Sequence, residues 1–155
     1  MRVQAFFLMA MTLFSASCNA VPNGFSVSSE LNNTQWRLVS LEPMAEGAMA
    51  IPAQPELTLR MRDSRVSGYD GCNDFSGPII SIWGSSVSAL RFGSFTTTLV
   101  PCQGEAGKLA EAYTDALAQV ESYVISGDQL NLYFDQGRST LSFSRMPAAE
   151  TQDDT

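Results

Sequence analysis

The sequence predicts an α+β domain: a curved antiparallel sheet of many short strands, with one packed amphipathic helix inserted before the last strands. Three observations carry that prediction. Apolar and polar residues alternate in several short runs, and Gly, Asp and Asn turns separate the runs. The period changes to that of a helix late in the chain, over residues 105–120. The chain has 155 residues, 45% of them hydrophobic, which suits one domain with a real core.

The first segment reads as a leader. Residues 1–17 open with Arg2, run apolar from Val3 to Phe14, and end in Ser15, Ala16 and Ser17 before Cys18. The apolar run is shorter than the ~20 residues of a membrane span and has the layout of a secretory signal. Two cleavage positions fit. Ser-Ala-Ser-Cys resembles a bacterial lipobox, which would make Cys18 the lipid-bearing first residue, although Ser15 stands where leucine is usual. Cleavage after Ala20 is the alternative, with Cys18 and Ala20 as the small residues around Asn19. Asn19 in place of an aspartate leans toward the outer membrane, where sorting follows that residue.

Residues 18–33 are rich in Asn, Ser and Gly and predict a flexible tether. A strand follows over 35–41, with Trp36, Leu38 and Ser40 on one face. Residues 42–55 contain three prolines and read as a loop. Leu57, Leu59 and Met61 alternate with Thr58, Arg60 and Arg62, and Asp63-Ser64 turns the chain into a hairpin partner at 65–69. Gly71 to Gly77 is turn-rich. Strands are expected over 75–82 and 86–92 around Gly84-Ser85, and over 94–100, where successive threonines favour extended backbone. Leu109, Ala110, Tyr113, Ala116, Leu117 and Val120 then form one helix face, with Pro101 and Gly104 at its start. Strands over 122–125, 130–134 and 140–144 close the domain around turns at Gly127-Asp128 and Asp135-Gln136-Gly137. Residues 147–155 form an acidic tail expected to be disordered.

Charge and residue usage exclude several chemistries. Nine Lys+Arg face 16 Asp+Glu, a net of −7, a poor match to nucleic acid or an anionic membrane surface. Membrane attachment is therefore expected only through the N-terminal lipid. The chain has no histidine, so the usual general base and the commonest metal ligand are missing. It has three cysteines. If Cys18 carries lipid, Cys72 and Cys102 remain as an even pair, and export favours a disulfide between them. Closing that loop is worth about 3.6 kcal/mol in the chain-entropy model. Two buried free thiols are the alternative. The oxygens of Asp70, Asn73 and Asp74 are a possible cation set, but their spacing is not a calcium loop and turn chemistry explains the same residue types. Lys108, the sole lysine, falls on the polar helix face, which argues against a Ser-Lys nucleophile pair. Trp83, Phe92 and Phe95 are read as core. No catalytic residue, metal or cofactor is expected.

One string is more specific. Gly71-Cys72-Asn73 followed by Phe75-Ser76-Gly77 resembles the GCNxFSG signature of the META domain, the family of the bacterial heat-shock protein HslJ. Trp36-Arg37-Leu38 is similar to that family's opening strand, and Phe92-Gly93 with Thr98 and Cys102 to the segment before its helix. Leu130-x-Leu132 and Leu141-x-Phe143-x-Arg145 are similar to its closing hairpin. The resemblance spans residues 34–146; Ser15 and the long 42–55 loop depart from the pattern. It implies a cell-envelope protein, often a lipoprotein, associated with stress and novobiocin tolerance, and it implies no reaction. Physically, Gly71 and Gly77 suit unusual backbone angles or close approach. Asn73 suits bracing the turn through backbone groups two residues on, and Phe75 anchors the core. The expectation is a monomeric, non-enzymatic outer-membrane lipoprotein facing the periplasm, with envelope proteins as partners. A soluble periplasmic or secreted binding or inhibitor module, using the 42–55 loop, is the alternative.

Overall fold

In a computed structural model of the chain, residues 28–43, 51–80 and 88–147 are described. The expected leader with Cys18, the first part of the expected tether, the middle of the expected 42–55 loop, Trp83 with the expected Gly84-Ser85 turn, and the expected tail from residue 148 lie outside the described residues. The order of elements is β1 (Thr34–Pro43), β2 (Thr58–Arg62), β3 (Arg65–Tyr69), β4 (Asp74–Ile80), β5 (Arg91–Phe92), β6 (Thr96–Thr97), α1 (Gly104–Ala118), β7 (Ser122–Ser126), β8 (Gln129–Phe134) and β9 (Ser139–Arg145). This is the predicted α+β class, with its one described helix inserted before the last three strands.

The strands form one sheet in the order β5-β4-β3-β2-β1-β9-β8-β7, and β6 pairs β4 beside β5. All strand pairings among the described residues are antiparallel. The two ends of this sheet nearly meet. Ala89 bridges Ser122, the Leu90 N–H donates to the Glu121 carbonyl at 3.1 Å, and the Tyr123 N–H donates to the Ser88 carbonyl at 2.9 Å. The curved sheet therefore approaches a closed barrel, which protects edges that would otherwise pair with another chain.

Local chemistry sets the hairpins. Asp63 and Ser64 both take positive φ, 49° and 63°, the tight turn whose twist matches its flanking strands. Asp135, Gln136 and Gly137 do the same between β8 and β9. The inner face carries Trp36, Leu59, Met61, Val66, Leu130 and Leu141, all fully buried. Onto it α1 lays Leu109, Tyr113, Ala116 and Leu117. Trp36 keeps its indole N–H satisfied by donating to Thr34 Oγ1 at 2.7 Å, and Arg145 stacks 4.3 Å over its ring.

Two expectations are corrected. Ser40 does not share the inner face of β1. The register against β9 shifts between Leu38 and Ser40, so Val39 is an extra, bulged residue, 55% exposed. A bulge reverses the alternation beyond it, and Leu41 rather than Ser40 is buried. The tether also ends earlier than predicted. Leu31 is 1% exposed in the core, Thr34 Oγ1 donates to its carbonyl at 2.6 Å, and the Tyr123 hydroxyl reaches Ser28 Oγ at 2.9 Å. Residues 28–33 thus belong to the folded domain.

Candidate functional site

The GCNxFSG string splits into a turn and a strand. In the turn, Asp70 is the brace. Its Oδ1 accepts the Cys72 N–H at 2.8 Å and the Asn73 N–H at 2.6 Å, and the residue is 4% exposed. Gly71 takes φ 94°, a conformation that disfavours any side chain. Asn73 does not bond two residues on, as the sequence suggested. It reaches across to the segment before the helix. Its Oδ1 accepts the Val100 N–H at 2.7 Å and the Thr98 hydroxyl at 3.0 Å, and its Nδ2 donates to the Val100 carbonyl at 3.4 Å. Thr98 Oγ1 in turn accepts the Asp74 N–H at 3.1 Å. Cys72 and Cys102 are joined by a disulfide with their Cα atoms 6.2 Å apart. The T-x-x-x-C spacing thus places one hydrogen-bonding end and one covalent end of the same seam.

The strand half anchors the seam to the core. Phe75 is 2% exposed and meets Phe95 and Tyr113 edge-on, with ring centroids 5.3 and 5.9 Å away. Ser76 pairs with Ser67 on one side and Thr96 on the other. At Gly77 a Cβ would stand 2.9 Å from the Phe95 ring and 3.1 Å from the Ser94 carbonyl oxygen, so only glycine lets that segment cross so closely.

Between the turn and α1 lies an open pocket of about 330 Å³, lined by Asp70, Asn73, Cys102, Glu111 and Thr114 among others. Gly107 permits the approach of the helix there, because a Cβ would meet the Cys102 carbonyl oxygen at 2.7 Å. Val100, 55% exposed, also lines it. Among the described residues no group of three metal-ligating side chains converges. Asn73 Oδ1, one of the oxygens in the suggested cation set, is already occupied by two donors.

The chain matches the META domain over residues 29–147, most of its length. It belongs to the META domain family. A similar fold is seen in solved structures. An NMR structure of a protein from Burkholderia xenovorans is 26% identical, with a TM-score of 0.64, covering 88% of this chain and 99% of that one. A crystal structure of a DUF4847 family protein from Bacteroides vulgatus is 13% identical, with a TM-score of 0.52, covering 74% and 93% of the two chains. No curated protein matches the sequence.

The META signature is thus a clamp between a turn and the segment 98–102, and this gives a direct prediction. The Val100 side chain is exposed, yet its amide is held by Asn73. In Asn73→Ala that amide should exchange with deuterium at least ten times faster than in the parent, while amides of β8 and β9 are unchanged. Equal exchange in both proteins would show that the Asn73 bonds do not hold the segment.

Tyr113 supplies a second prediction. Burial pushes its hydroxyl well above the ordinary 10.0, and the nearby negative charge of Asp70 pushes in the same direction. The hydroxyl donates to the Thr58 carbonyl at 3.1 Å. The fold therefore holds the proton that the unfolded chain releases near 10.0. Its contribution is complete below pH about 10 and falls as pH rises beyond that. Tyr113→Phe should lose less stability than the parent between pH ~9 and ~12, measured by urea unfolding across that range.

Lys108 sits where expected, 71% exposed and paired with Glu105 at 3.0 Å. Sequence reasoning missed Asp70 as the brace and Gly107 as the close contact. A signal existed for the second: glycine inside an amphipathic helix costs about 1 kcal/mol relative to alanine and asks for a packing reason.

Proposed function

We propose that this META-domain protein is an exported, non-enzymatic component of the cell envelope. It is anchored by lipid at Cys18, faces the periplasm from the outer membrane, and supports tolerance of envelope stress and of novobiocin-type antibiotics through contacts with other envelope proteins. The observation that carries the reading is the pairing of Cys72 with Cys102. It leaves Cys18 as the one remaining cysteine, directly after an apolar leader that ends in small residues. Such bridges persist in oxidising compartments. The non-enzymatic part rests on how the signature is used. Cys72 and Asn73 are committed to holding backbone, Phe75 is committed to the core, and the chain has no histidine to activate a nucleophile.

The test is a strain lacking this protein, challenged with heat, envelope stress and novobiocin. Complementation with the parent chain should restore growth. Cys18→Ser should leave the membrane fraction, lose the lipid mass and restore growth poorly. Full complementation by the soluble variant would remove the anchor from the function. Unchanged growth of the deletion strain under every challenge would remove the stress role.

A further inference from the structure

We propose that the pocket beside the signature turn is a binding site for an organic cation, a primary ammonium or guanidinium group, with Asp70 as its anchor. The turn explains only half of Asp70. Bracing needs one acceptor oxygen, Oδ1, aimed at the Cys72 and Asn73 amides. An asparagine would place an oxygen at the same point, though its bonds to the two amides would lack the charge. The carboxylate instead places a negative charge in a residue that is only 4% exposed, and such burial is costly without a counter-charge. No Lys or Arg among the described residues pairs with it.

The second oxygen, Oδ2, takes no hydrogen bond among the described residues. It is also not sealed away, because Ser144 Oγ is the one buried, unpartnered side-chain oxygen found there. Asp70 lines the pocket, which is the opening that leads to this carboxylate.

The rest of the pocket suits the same ligand. Its other charged lining residue, Glu111 on α1, is also acidic, and Asn73, Thr97 and Thr114 supply polar wall. The sole lysine, Lys108 on the same helix, is paired with Glu105. A volume of about 330 Å³ accepts a cationic head and part of its stem. Exposed Val100, a lining residue, offers apolar surface for methylenes, the way long cationic side chains spread along a surface. The net charge of −7 favours the approach of a cation. A hard metal ion fits less well, since it needs six or more oxygens and no convergent set of three ligating residues exists among the described residues. The proposal stands whether or not Cys18 carries lipid.

The test titrates the disulfide-bonded mature chain while its amide resonances are followed. The probes are n-butylammonium, its neutral isostere n-butanol, and capped Leu-Lys-Leu and Leu-norleucine-Leu peptides. Saturable shifts at Cys72, Asn73 and Val100 with n-butylammonium or the lysine peptide, and none with the neutral partners, are expected. Binding of n-butylammonium alone identifies a small amine as the source; binding of the lysine peptide alone identifies a basic side chain. Asp70→Asn keeps the brace and should weaken binding at least about tenfold. Glu111→Gln lies on the surface, cannot disturb the turn, and should weaken binding about threefold. Equal binding of the neutral probes, undiminished binding in both variants, or saturation by calcium chloride with none by either cationic probe would each overturn the proposal.

Discussion

Replacing Cys72 and Cys102 together with serine is expected to lower stability by about 3.6 kcal/mol, the loop-closure term for a bridge of this span. In a domain of this size that loss corresponds to a fall in Tm of roughly 10–20 °C. The larger share acts on the unfolded chain, which gains freedom when the crosslink is gone. The urea m-value should therefore rise as well as the midpoint fall, because a chain without the bridge exposes more surface. The parent protein in strong reductant should behave like the double variant. An unchanged midpoint in both cases would mean that the bridge constrains nothing.

A smaller share acts on the folded state. Without the bridge, residues 98–102 are held to the turn by Asn73 and by the Thr98 contacts with Asp74. The two restraints serve one seam, so their effects should not add. Asn73→Ala in the bridgeless protein should differ from Asn73→Ala in the parent by a coupling of about 0.5–3 kcal/mol. Additive costs would place Asn73 and the bridge in separate cooperative units.

The same seam separates what the sequence could disclose from what it could not. Hairpins such as β2–β3 and β8–β9 were legible because both of their determinants are local: a period of two, and turn residues tolerant of positive φ at Asp63, Ser64 and Gly137. The helix was legible because Leu109, Tyr113 and Leu117 repeat at its period. The bulge at Val39 was not, because it exists only relative to β9, a hundred residues away in the chain. The near-closure of the sheet through Ala89 and Ser122 has the same character. The signature could be seen as a string, yet its roles depend on partners outside it. Asn73 finds its acceptors and donors at Val100 and Thr98, and the brace, Asp70, lies one residue before the string begins. Short polar residues in a turn look alike until the facing segment is known.

Phe75→Ala is expected to be the most damaging single substitution in the signature, at about 3–5 kcal/mol. The ring is 2% exposed and is the common neighbour of three elements: its own strand, the Phe95 segment and the helix through Tyr113. Removing it leaves a cavity that these elements cannot fill without moving the turn. Two of them are pinned, one by the disulfide and one by the Tyr113 hydrogen bond to Thr58, so collapse is restricted and the cost falls in the upper part of the range. Phe75→Leu keeps most of the volume and loses the edge contacts, about 1–1.5 kcal/mol. A second site checks the packing itself. A Cβ at Gly68, directly across from Phe75, would stand 2.7 Å from the ring's far carbon and would also land on the Thr58 carbonyl oxygen. Gly68→Ala in the parent should therefore cost about 1–3 kcal/mol. In the Phe75→Leu protein the ring conflict is gone but the carbonyl conflict stays, so the cost of Gly68→Ala should shrink without vanishing. Urea unfolding of the four proteins measures this directly. An undiminished cost would assign the conflict wholly to the Thr58 backbone, and a vanished cost would assign it wholly to the ring.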